Sequence, residues 1–116
     1  MITLTDDQWT ILFDEVDDTI IKAQDDLPDS IRDKACEYQV IVDKYQFPLD
    51  QWKDRKILGC YMAWTNGPIV IFAGQIYEDC NQDLDAAMAS VRQVYYHELA
   101  HAIGDLSEAE VKERGL

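Results

Sequence analysis

The sequence predicts a small α+β fold formed as one domain over residues 1–116. Three observations predict it. A strongly periodic N-terminal stretch reads as an amphipathic helix. Three short apolar runs parted by turn-forming residues read as a small, mostly antiparallel sheet. A second long helical pattern lies near the C-terminus. A chain of 116 residues supports one modest core and leaves no room for a separate substrate domain.

Thr5 followed three residues later by Gln8 forms a capping-box pattern, and Trp9, Leu12, Phe13, Val16 and Ile20 then recur at helical spacing. This predicts a helix over 6–25 whose opposite face carries Asp7, Asp14, Asp17, Asp18 and Asp25. Its single oily stripe suits it to cover a sheet. Pro28 fits the first turn of a short second helix through Ala35, with Asp29 favourable near its positive end. Tyr38, Val40 and Val42 alternate with more polar neighbours and predict a strand over 38–43. A polar segment containing Pro48 follows. Residues 57–63 and 69–73 read as two further strands, joined by Thr65, Asn66, Gly67 and Pro68 into an antiparallel hairpin. Beyond Gly74 the chain is expected to turn before a long helix over 83–103, with Met88, Val91, Tyr95, Leu99 and Ala102 facing the sheet. Gly104 is placed to end that helix in a left-handed turn, and Ser107 with Glu110 repeats the capping box for a short last helix.

Composition narrows the function classes. The formal net charge is −13, which excludes the basic face that nucleic-acid binding requires. Residues 1–50 hold 13 acids and 4 bases, and residues 51–116 hold 10 and 6, so the front half reads chiefly as a solvated acidic face. No apolar run reaches the roughly 20 residues that span a bilayer, and MITLTDDQW lacks the marks of a secretory signal. A cytoplasmic protein without membrane contacts is expected. Cys36, Cys60 and Cys80 include no CxxC and suit a reducing compartment. They are expected to be buried, small apolar residues.

Chemistry concentrates in His97-Glu98-Leu99-Ala100-His101, an HExxH run inside the last long helical pattern. Four residues make about one helical turn, so both imidazoles project from one face, close enough to bind one metal ion. Glu98 is rotated about 100° from His97, out of the ligand pair and beside the place of a metal-bound water, which is where a general base belongs. The bland alternative is two ordinary histidines with a glutamate between them. With only 2 histidines in the chain, chance yields this arrangement roughly once in a thousand sequences, so the spacing favours a metal site. Zinc suits the donors and lowers the pKa of a bound water to about 7.

Catalytic zinc usually takes three protein ligands. In motifs of the form HExxHxxGxxH/D the third falls three residues after the glycine, which here is Ser107, a poor zinc ligand. Glu108 and Asp105 flank that slot. One residue inserted after Gly104 brings Glu108 into it, and Asp105 is the second choice. Glu110 and Glu113 are further carboxylates within reach of a returning helix.

The segments LPDSIRD, GPIVIFAGQIYEDC and VRQVYYHELAHAIG, in that order after an acidic helical start, resemble the small bacterial metallopeptidases with a minimal zincin-like fold. The resemblance covers nearly the whole chain, and its specificity rests on HELAHAIG in a strand-then-helix context. It implies a zinc ion held by His97 and His101, with Glu98 as catalytic base. Where the family runs glycine, apolar, acidic cluster, this chain has Gly104-Asp105-Leu106-Ser107-Glu108. An extra Asp105 restores the alignment and makes Glu108 the matching acid.

These readings favour a zinc-dependent metallopeptidase acting on a peptide or protein substrate. The substrate would lie extended along an edge strand, with 69–73 the expected one. The rival is a non-catalytic or latent zinc-binding regulatory module, in which a protein partner could complete the cleft. A purely structural site has no use for Glu98, which favours chemistry. Zinc-dependent hydrolysis of a non-peptide amide would use the same site. Tyr95 and Tyr96 read as packing residues rather than oxyanion donors.

Overall fold

The computed structural model describes residues 1–63 and 67–104. In chain order these form α1 (Asp6–Asp25), α2 (Asp29–Ala35), β1 (Val40–Asp43), a one-turn 3-10 helix (Asp50–Trp52), β2 (Gly59–Tyr61), β3 (Ile69–Phe72), α3 (Ala73–Asp79) and α4 (Leu84–Gly104). The class is α+β, as expected. The predicted last helix from Ser107 lies outside the described residues.

Helix α1 begins as its sequence dictates. The Thr5 side chain accepts from the Gln8 amide, and the Gln8 side chain accepts from the Thr5 amide, so two donors that a helix start leaves unpaired are satisfied. Leu12, Val16, Ile20 and Ala23 form its buried stripe. Asp7, Asp14, Asp17, Asp18 and Asp25 are exposed. Helix α2 starts one residue later than predicted, because Pro28 serves as its N-cap rather than its first turn.

The sheet departs from expectation in two respects. Its strand order is β1-β3-β2, with β1 parallel to β3 and β2 antiparallel to it, so the sheet is mixed rather than mostly antiparallel. The hairpin between β2 and β3 holds, with Cys60 opposite Val70. At its base Gly67 donates to the Met62 carbonyl and Met62 to that of Pro68. Gly67 has φ of 105°, a region that favours glycine. The second correction concerns 69–73, which is not an edge. β3 is the central strand, hydrogen-bonded on both sides, and all four of its residues are buried. An uninterrupted apolar run such as IVIF is what a strand covered on both faces requires.

Those two faces have different covers. Ile69 and Ile71 join the main core with the buried stripe of α1 and with Val91, Tyr95 and Leu99 of α4. On the other face Phe72 meets Phe47 and Trp52 edge-on, while Phe47 and Trp52 stack on each other. The segment between β1 and β2, polar in sequence, thus supplies an aromatic lid for the sheet. Gln46 ties it together, donating to the Trp52 and Arg55 carbonyls and accepting from the Ile57 amide.

The turn expected after Gly74 is instead the start of α3, whose Ala73 and Ile76 are buried. Of the predicted core face of α4, Val91, Tyr95 and Leu99 are buried, while Met88 and Ala102 are half-buried against them. The cysteines depart from expectation too. Cys36 is exposed just past α2, and Cys60 and Cys80 are half-buried.

Candidate metal centre

Helix α4 carries the candidate site, and its neighbouring elements fix where that helix lies. It packs on α1, β2, α3, β3 and α2. Contact with β2 is close at Gly59, where a methyl group would come within 2.6 Å of Val94 Cγ1 and 3.0 Å of the Val70 carbonyl oxygen. Only a residue without a side chain lets the strand approach one turn before Glu98. On the α1 side, Gln24 donates to the Tyr95 hydroxyl, and the Tyr96 hydroxyl donates to the Ala23 carbonyl. Arg92 lies over the Tyr96 ring and pairs with Asp26. Both tyrosines are therefore packing residues, as expected, and the residues just before His97 are held on two sides.

His97 and His101 stand one turn apart with their Nε2 atoms 3.2 Å from each other and their rings nearly perpendicular, at 81°. Two ligands about 2.05 Å from one tetrahedral zinc ion would stand about 3.3 Å apart. The observed separation fits. The Glu98 carboxylate lies within 4.8 Å of both histidine donors, and all three side chains are half-buried. A carboxylate within that range can reach a water between it and an ion.

The surroundings of Glu98 are dry enough to matter. Burial pushes its carboxyl up to about 7 from 4.5. Cys60, on β2, is pushed up to about 11, first by burial and then by the Glu98 charge, so the strand and the HExxH turn share one electrostatic environment. The sequence carried no sign that Cys60 would lie by Glu98, because the two are 38 positions apart and meet only through the hairpin. Tyr38, expected at the start of a strand, also reaches the site-bearing helix, and its hydroxyl donates to the Ala102 carbonyl at 2.9 Å.

The structure thus brings His97, Glu98 and His101 together. The expected third ligands, Glu108 and Asp105, lie outside the described residues, as do Glu110 and Glu113. No helix among the described residues is long and apolar enough to cross a membrane.

No family model, curated protein or solved structure matches this chain.

Proposed function

We propose that this chain is a zinc-dependent metallopeptidase of the minimal zincin-like type, with His97 and His101 as metal ligands and Glu98 as general base. The observation that carries the reading is the convergence of two Nε2 atoms at 3.2 Å beside a half-buried carboxylate. A bound zinc ion supplies a Lewis acid for the scissile carbonyl and brings a water into a reactive protonation range. Glu98 takes the proton from the attacking water and passes it to the departing amine nitrogen. Glu108 completes the ligand set, with Asp105 as the second choice. β3 is interior to the sheet, so the extended peptide is assigned to the outer edge of β2, the strand that shares its surroundings with Glu98.

Metal analysis of protein purified without added metal should find one zinc per chain, lost in His101→Ala. Glu108→Gln should weaken zinc binding more than Asp105→Asn. After a peptide-library screen has supplied a substrate, Glu98→Gln should keep its zinc and lose about 10² to 10⁴-fold in turnover. Equal cleavage by the wild type and Glu98→Gln would refute the assigned base. Full zinc occupancy with no cleavage of any peptide would favour the non-catalytic zinc module instead.

A further inference from the structure

We propose that Tyr38 is a positioning residue for the metal centre, acting as a clamp on the turn of α4 that carries His101. The inference rests on the metal-site reading of His97 and His101 and deepens it. His101 begins the final described turn of that helix, residues 101–104. The Tyr38 hydroxyl donates to the Ala102 carbonyl in this turn at 2.9 Å, from a residue 64 positions away. Unwinding of this turn would break that bond.

Tyr38 is itself well held. Its amide donates to the Ala35 carbonyl at the end of α2. Its ring packs edge-on against Tyr61 of β2, with centroids 5.8 Å apart at 85°. The hydroxyl therefore comes from an anchored ring, and it fixes the turn bearing His101 to both α2 and the strand beside Glu98. The helix alone sets the spacing of His97 and His101, but only while the turn bearing His101 is formed. Tyr38 keeps that turn formed in the metal-free protein, so the ligand pair is already in place when the ion arrives.

The test compares Tyr38→Phe with Tyr95→Phe, using Co²⁺ and Zn²⁺ as probes. Each variant loses one tyrosine hydroxyl bonded to a distant part of the chain, but the Tyr95 hydroxyl meets the Gln24 side chain and no backbone group of α4. Tyr38→Phe should weaken both metals by about three- to tenfold, the equivalent of one net hydrogen bond. In the metal-free protein it should also speed amide exchange at residues 101–104. Tyr95→Phe should do neither. Unchanged affinity in Tyr38→Phe, or an equal loss in both variants, would overturn the clamp. If the wild type binds neither ion, the metal reading fails. The exchange data then decide on the clamp alone: faster exchange at 101–104 upholds it, and unchanged exchange overturns it. Should Tyr38→Phe not fold, Tyr61→Leu removes the ring behind Tyr38 and leaves its hydroxyl. A smaller loss of affinity is expected there, and none would overturn the proposal.

Discussion

A carboxyl group taken out of water resists ionisation, and Glu98 is in this position, raised from 4.5 to about 7 by burial. Its folded value stands above its unfolded one, so the unfolded chain gives up this proton first. Stability contributed by the neutral form is complete below about pH 4.5 and is lost as pH rises to about 7. In the metal-free protein Glu98→Gln removes that loss. The variant should match the wild type in urea melts at pH 4 and exceed it at pH 8 by about 1–3 kcal/mol. A difference that does not widen between the two pH values would mean that Glu98 is hydrated. The cysteines offer a second check on burial. The thiolate is the reactive form, and Cys60 is held up to about 11 whereas Cys36 is exposed. Iodoacetamide at pH 8 should modify Cys36 well before Cys60, as peptide mass spectrometry would show. Simultaneous modification would contradict the burial that raises the Cys60 thiol.

At the scale of elements, the site depends on how closely β2 lies to α4. Gly59→Ala places a methyl 2.6 Å from Val94 Cγ1 and 3.0 Å from the Val70 carbonyl oxygen, so the strand or the helix must shift. Such overpacking costs about 1–3 kcal/mol. Adding Val94→Ala clears the side-chain clash and leaves the carbonyl one, so the double variant should recover part of the loss. Strict additivity of the two changes in chemical denaturation would mean that the strand and helix are not in contact there. The same elements show what could be read in the sequence. Helix α1 and helix α4 were legible because capping and a 3.6-residue period are local properties, and HExxH was legible because its geometry lies within one helix. The position of β3 was not. An apolar run such as 69–73 marks a strand, but which strands flank it is decided by long-range pairing with β1 and β2. α3 went unread although Ala73, Ile76, Tyr77 and Cys80 follow helical spacing, because the run is only 7 residues long and begins where a strand ends. The bond from Tyr38 to Ala102 gave no local signal, since its partner lies on another element.

Across the whole molecule, a metal ion should act as a ligand that binds only the folded chain. The two histidine donors meet because α4 is formed, and α4 is held by α1, β2 and β3, so binding at the site draws on all of these contacts. A ligand at a hundredfold excess over its Kd stabilises the native state by about 2.7 kcal/mol. Zinc should therefore raise the melting temperature by several degrees, and a chelator should reverse the rise. The net charge of −13 complicates a plain reading, because any divalent cation would reduce self-repulsion among the surface acids. Donor chemistry separates the two effects. Imidazole nitrogen favours zinc, whereas magnesium prefers oxygen ligands. Magnesium at equal ionic strength should reproduce the screening part of the shift and none of the remainder. His101→Ala removes one nitrogen donor and leaves the carboxylates, so it should respond to zinc only as the wild type responds to magnesium. If zinc and magnesium shift the wild type equally, or if His101→Ala keeps the full zinc response, the stabilisation comes from the acidic surface, and the paired histidines do not hold the ion.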